Sequence, residues 1–195
     1  LQSGVYLGRF AVLGARGKLL PLECPSRLRL KGEWRPAGVF MPWVSVLGLD
    51  TALDMAVARE TLKEISHHGK PLGINLSAAS IRSARFALDL RSLVHSHREA
   101  AAKLWLEVPE SVALHDLESF CSLCRELQPY GCKLGLEHVG REFRHISDLQ
   151  ELGLGYLKID ASLVKGVDRS PEQQTILRGM ATLCHSIGIL AIAEG

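Results

Sequence analysis

Glu23, Asn75, Glu107, Glu137 and Glu194 each follow a short apolar run, in LLPL, LGI, LWL, LGL and AIA respectively. Carboxylates and an amide gathered at one mouth make an oxygen-rich set that suits Mg²⁺, Mn²⁺ or Ca²⁺. One polar residue after an apolar run is ordinarily a helix cap or a loop residue. Five at equivalent places point to a shared site. Lys158 and Asp160, in GYLKID, belong to the same series. A lysine among apolar residues must find a carboxylate or lose its proton. Asp160 or an acid of a neighbouring strand would make a structural ion pair; the functional alternative is a lysine that orients a water or a phosphate. Arg27 follows Glu23 by four residues in ECPSRLRL, and its planar fork suits a phosphate, unless it is an exposed loop charge. Arg82 and Arg85 in SIRSARF are second candidates for that task. His138 stands beside Glu137. Imidazole binds Mn²⁺ or Zn²⁺, but it cannot supply the negative charge of a bridging carboxylate.

The elements that must position these groups follow one rhythm, a short apolar run and then a longer amphipathic stretch. Strands are expected in RFAVLG, LLPLECP, PLGINLS, KLWLEVPE, KLGLEHVG, GYLKID and ILAIAEG. Helices are expected at 50–66, 86–95, 117–127, 147–152 and 171–187, each with apolar residues on one face. Alternating strands and helices predict a parallel sheet. Polar residues at the C-terminal end of strand after strand favour a (β/α) barrel, whose active face lies there. An open doubly wound sheet would concentrate its site at one switch point. Lys31–Pro42 reads as a connection inside the domain.

The chain has 195 residues, 47% of them apolar, enough for one domain with a substantial core. A net charge of +2 speaks against polymeric nucleic acid as a partner, since that needs a clustered basic face. A small anion needs only a few arginines. The five cysteines are odd in number and scattered, which fits a reduced, cytoplasmic setting better than a disulfide framework. Cys121 and Cys124, with Cys132 nearby, raise the question of zinc. A second ligand pair at finger spacing is absent, so the pair is expected on the buried face of its helix with Phe120 and Leu127. No stretch reaches the ~18 apolar residues of a membrane span.

Several ordered segments resemble the EAL family of cyclic-di-GMP phosphodiesterases. INLSAAS resembles its N-L-S strand, LWLEVPES its L-E-I-T-E-S strand, and FMPWVSVLGLDTALD the segment after its signature. LGLEHVGREFRHISDLQELGLGYLKIDASLV resembles the D-D-F-G-x-G segment running into K-I-D, and GILAIAEG resembles A-E-G-V-E. The resemblance covers the whole chain and implies a (β/α) TIM-like barrel of the EAL type, short of its last βα units within residues 1–195. It implies hydrolysis of cyclic-di-GMP with two Mg²⁺ or Mn²⁺ ions. Glu23, Asn75, Glu107 and Glu137 would hold the first ion, and His138 would help hold the second. Lys158 would assist the attacking water, Glu194 would support the site, and Arg27 would grip a phosphate. Asp160, in the K-I-D segment, joins the ligand-binding set.

The departures change that expectation. E-A-L reads Glu23-Cys24-Pro25, the paired aspartates read Glu137-His138, and a glycine past the D-D-F-G turn reads Glu142. Two-metal hydrolysis clamps both the attacking and the leaving oxygen, and His138 removes a negative charge from between the two cations. Glu137 is one methylene longer than Asp, a shift on the ~1 Å scale that can already cost ~10²-fold in rate. Pro25 stiffens the loop and deletes a donor. The pattern resembles the receptors of the LapD type, which bind cyclic-di-GMP without cleaving it. It implies a domain that needs no metal cofactor and forms EAL–EAL homodimers on ligand binding. It also implies a cytoplasmic domain of a membrane-anchored inner-membrane protein controlling adhesin and biofilm signalling. The alternative is a phosphodiesterase with residual, Mg²⁺- or Mn²⁺-dependent activity.

Overall fold

The apolar runs are too short for helices and too apolar for exposed strands, so they stack as buried parallel strands with helices against them. In the computed structural model, which describes residues 5–8, 22–140, 143 and 152–194, this is the arrangement found. The strands are β1 (Val5–Leu7), β2 (Leu22–Glu23), β3 (Ser26–Leu30), β4 (Glu33–Pro36), β5 (Leu72–Asn75), β6 (Leu104–Pro109), β7 (Lys133–Val139), β8 (Tyr156–Ile159) and β9 (Leu190–Ala193). The helices are α1 (Ala37–Val46), α2 (Asp50–His68), α3 (Ala78–Arg82), α4 (Ala84–Ser96), α5 (Arg98–Ala101), α6 (Glu110–His115), α7 (Leu117–Leu127), α8 (Ala161–Val164) and α9 (Pro171–Ser186).

Among the described residues the main sheet is parallel throughout, in the order β2-β5-β6-β7-β8-β9. Strand order follows chain order with no reversal. That is the winding of a (β/α) barrel and not of a doubly wound sheet, whose order turns back at its switch point.

Each strand sorts its side chains by alternation. On β6, Leu104, Leu106 and Val108 are buried toward the helices, where they meet Leu62, Leu90, Phe120 and Leu127. Full burial of such a side chain stabilises by ~1.5–3 kcal/mol. The residues between them, Trp105 and Glu107, point the other way, into the barrel. There Trp105 packs with Tyr156 and Ile192 in a second, smaller cluster.

Helix limits follow local signals. α9 begins with Pro171 behind Ser170, whose Oγ accepts from Gln173 N at 3.3 Å. α2 stops where Gly69 turns left-handed at φ 67°.

Three sequence expectations change. The stretch Lys31–Pro42 is more than a connection, since it contains β4 and the first half of α1. β3 and β4 are joined by Lys31 and Gly32, both at positive φ (49° and 87°), a two-residue turn whose twist suits a hairpin. Lysine is an uncommon residue for that conformation, so the hairpin left little trace in the sequence. With β1, this hairpin makes a separate antiparallel sheet, β1-β3-β4, packed against α1 and α2. Of LLPLECP, Leu22–Glu23 is strand and Cys24 and Pro25 lie past it, while residues 19–21 lie outside the described residues. The RFAVLG strand, the 147–151 part of the helix expected at 147–152 and the Glu142 substitution lie outside the described residues.

Candidate functional site

Alternation and register bring the polar residues to one mouth. Asn75 is level with Glu107 across β5 and β6. Glu23 closes β2, Glu137 nears the end of β7, Lys158 lies on β8, and Glu194 directly follows β9. Five carboxylates (Glu23, Glu107, Glu137, Asp160 and Glu194) share this region with one ammonium and one imidazole.

Lys158 is the hub. Its side chain is only 3% exposed. Nζ donates to Glu107 Oε2 at 2.6 Å and to Glu23 Oε1. Its partners come from β6 and β2, across the barrel interior, and not from Asp160, because Asp160 sits past the strand end and turns to cap α8, accepting from Ser162 N at 2.8 Å. Burial opposes the Lys158 charge, yet Glu107 and Glu23 outweigh it and raise its pKa. Glu107 is held from its other oxygen by Tyr156, whose hydroxyl donates to Oε1 at 3.3 Å and to Leu106 O at 3.2 Å. Burial pushes the Glu107 carboxyl up despite the nearby lysine.

Glu137 and His138 are consecutive, and a regular strand would send them to opposite faces. Here β7 shifts register between Leu136 and Val139, and His138 takes φ 54°. A bulge with a left-handed residue re-aims a side chain, so both reach the mouth. His138 Nδ1 lies 3.0 Å from Glu194 Oε2 and 3.4 Å from Asp160 Oδ2. Burial disfavours the imidazolium, but the Glu194 and Glu137 carboxylates prevail and raise the pKa. Hydrogen bonds from Ser162 hold the Asp160 carboxyl below its usual range.

Glu137 faces Glu107 in a buried setting, and Asn75 Nδ2 donates to its Oε2 at 3.3 Å. Burial first, and then the Glu107 charge, push its pKa to about 7 from an ordinary 4.5. The folded chain therefore keeps a proton that the unfolded chain releases between those values. The contribution of Glu137 to stability falls as pH rises through that window, by about 2–3 kcal/mol. Urea unfolding of the metal-free chain at pH 5 and pH 8 should show this loss, and Glu137→Gln should remove it. An unchanged pH dependence in the variant would refute the assignment.

Two cation positions can be compared by their donors. The Lys158 ammonium lies between Glu23 and Glu107, and Asn75 Nδ2 donates to Glu137; an ion held by Glu23, Asn75 and Glu107 would take the Asn75 amide oxygen and share the two carboxylates with the ammonium. His138, Asp160 and Glu194 offer one nitrogen and two carboxylate oxygens, all within 4.8 Å of one another. That donor set fits a divalent cation such as Mn²⁺.

Arg27 does not stand at a barrel strand end. It lies on β3 of the antiparallel sheet, with no carboxylate in ion-pair reach among the described residues. Arg82 and Arg85 are engaged with Asp116 (3.0 Å) and Asp89 (2.9 Å). Cys124 is buried with Phe120 and Leu127, while Cys121 is half-buried. Burial pushes the thiols of Cys124 and Cys132 up to about 12, so in the metal-free chain both stay protonated at neutral pH.

Sequence reasoning missed two supports of the site. Asp54 of α2 fixes the segment after Asn75, its Oδ2 accepting from Ser77 N at 2.8 Å and Ser80 Oγ at 2.7 Å. Its place at helical spacing among apolar neighbours was the available signal. Tyr156 was hidden inside an apolar strand, and nothing local marks it as the partner of Glu107.

This barrel wall, with its acidic mouth and central lysine, is matched by the model of the EAL domain over residues 12–195. The chain belongs to the EAL domain family. Among its relatives, the cyclic di-GMP phosphodiesterase PdeF of Escherichia coli (strain K12) is 27% identical over 175 residues, 86% of this chain and 23% of that protein. The probable cyclic di-GMP phosphodiesterase PdeG of the same organism is 28% identical over 191 residues, 94% of this chain and 38% of that protein. The chain thus spans well under half the length of these relatives. Among solved structures, Vibrio cholerae LapD S helix-GGDEF-EAL bound to c-di-GMP superposes with a TM-score of 0.88 at 22% identity, over 98% of this chain and 48% of that one. The Xanthomonas citri FimX EAL domain in complex with c-diGMP gives 0.87 at 21% identity, over 98% and 77%. These likenesses establish the shared fold. No helix of the described residues is long and apolar enough to cross a membrane.

Proposed function

We propose that this chain is a cyclic-di-GMP receptor domain that binds its ligand without hydrolysing it. The observation that carries the reading is His138, an imidazole where the family resemblance calls for an acid, held by the β7 bulge against Glu194 and Asp160. Two-metal hydrolysis needs a negative charge between the two cations, and at that place the chain supplies an imidazole. The mouth is rich in carboxylates, so the phosphate is assigned to Arg27, four residues past Glu23 on β3. Relatives named as cyclic di-GMP phosphodiesterases and neighbours solved with c-di-GMP support the ligand class. From the LapD resemblance we further propose ligand-dependent EAL–EAL pairing, and a role as the cytoplasmic part of a membrane-anchored protein in adhesin and biofilm signalling.

The test is calorimetric titration with cyclic-di-GMP in chelator, followed by chromatography of the products in Mg²⁺ and in Mn²⁺. The expected result is micromolar or tighter binding without metal, no linear dinucleotide, and at least tenfold weaker binding by Arg27→Ala. Light scattering should show dimers only with ligand. Turnover at an ordinary enzymatic rate would sink the receptor reading. It would favour the second one, a weakly active phosphodiesterase, for which the His138–Asp160–Glu194 cluster is the supporting observation.

A further inference from the structure

The outer face of the β1-β3-β4 sheet carries a feature that the barrel mouth does not explain. Alternation places Leu7 and Leu28 on the buried side and Tyr6, Arg27, Arg29 and Trp34 on the other. Tyr6 is directly across from Arg27, and Trp34 directly across from Arg29. The two rings reach over β3 to one another, with centroids 5.5 Å apart and planes tilted by 47°. Yet Tyr6 stays 53% exposed and Trp34 42%. Arg29 Nε donates to Gly32 O at 3.3 Å, which steadies it without neutralising it. Among the described residues, neither arginine has a carboxylate in ion-pair reach. The one acid nearby, Glu33, is taken by Arg35. This face therefore pairs open aromatic rings with uncompensated guanidinium groups. It follows directly on the mouth along the chain, from Glu23 to Arg27 to Arg29.

Guanidinium forks match phosphate oxygens, and aromatic faces hold bases by stacking. One strand spacing, ~4.8 Å, separates each arginine from its aromatic neighbour. A ligand that carries a phosphate and a planar base side by side satisfies both. A purely apolar partner would leave the arginines unpaired, and a simple anion would leave the rings in water. We propose that Tyr6 and Trp34 form a stacking platform for one purine base of the cyclic dinucleotide, with the adjoining phosphate on Arg27 and Arg29. This inference rests on the cyclic-di-GMP reading and adds to it the residues that hold a base.

The experiment is titration of the full chain with cyclic-di-GMP, read by calorimetry and by tryptophan fluorescence. Tyr6→Ala and Trp34→Ala should each weaken binding by roughly 5- to 150-fold, the equivalent of ~1–3 kcal/mol for a stacked base. Tyr6→Phe and Trp34→Phe keep a ring and should stay within about threefold of the parent. Trp34→Phe should also abolish the ligand-induced quench, whereas Trp43→Phe, at an exposed tryptophan of α1, should preserve it. Circular dichroism confirms that each variant folds, and the phenylalanine pair carries the test if the alanine pair does not. A parent chain that binds no cyclic-di-GMP overturns both the functional reading and the platform. A parent that binds, with Tyr6→Ala and Trp34→Ala at parental affinity or Trp34→Phe still quenched, overturns the platform alone. So does a single-stranded oligonucleotide that binds this face more tightly than the cyclic dinucleotide.

Discussion

Lys158→Met is expected to destabilise the metal-free chain by on the order of 3–5 kcal/mol at pH 8, because it strands charges that the ammonium now holds together. Glu107 is 4% exposed, and its pKa is raised by burial even with Lys158 present. Without the lysine, its ionised form loses its main compensation, while Glu23 and Glu137 remain close. The variant should escape the penalty by taking up a proton. A carboxyl whose folded pKa is raised costs stability only above its unfolded value, so the loss should be largest at pH 8 and should shrink as pH falls toward 5. Mn²⁺ should restore part of the loss in the variant and do less for the parent, since the vacated place then offers two carboxylates to a cation. Urea denaturation at both pH values, with chelator and with Mn²⁺, reads all three effects. A loss below ~1 kcal/mol, typical of an exposed ion pair, would show that Lys158 is not the hub. Lys165→Met, at an exposed lysine, is the control.

Gly135→Ala is expected to cost at least about 3 kcal/mol, at or beyond the upper end of ordinary overpacking. A Cβ on Gly135 would lie 2.5–2.6 Å from three carbons of the Tyr156 ring. The ring has nowhere to move. It is fully buried, packs on Trp105 with centroids 4.4 Å apart, and is tethered through its hydroxyl to Leu106 O and Glu107. The methyl group would push Tyr156 off Glu107 and loosen the floor under Lys158. Thermal unfolding of Gly135→Ala, Tyr156→Leu and the double variant forms a cycle. The double variant should be more stable than the sum of the single losses predicts, because leucine vacates the ring's space. Strict additivity would refute the clash.

Residue pattern by itself determined a good deal of this molecule. Apolar runs bounded by turn and cap residues specified buried parallel strands between amphipathic helices. α7 was legible at both ends, and α9 from its first residue, because Pro171 can open a helix without losing a bond. A polar residue closing one apolar run after another placed Asn75, Glu107, Glu137 and Lys158 at the C-terminal mouth of the barrel, where strand ends deliver their side chains. Order along the chain became order in the sheet because each helical connection returns beside its own strand.

What tertiary structure alone decided is how those groups meet. Lys158 could have paired with Asp160 two residues away, yet register brings Glu23 and Glu107 to its ammonium, 135 and 51 residues distant in the chain. Glu137 and His138 share a mouth only through a bulge and a left-handed histidine, a conformation that no local signal announces. The Lys31-Gly32 turn was hidden by a lysine at positive φ, and with it the sheet that carries Arg27 away from the barrel strands. Pairing across strands depends on register, twist and bulges, which are properties of the assembled sheet. Polarity and spacing depend only on the order of residues. The sequence therefore supplied the members of the acidic mouth, and the fold decided that Lys158 stands between Glu23 and Glu107 at its centre.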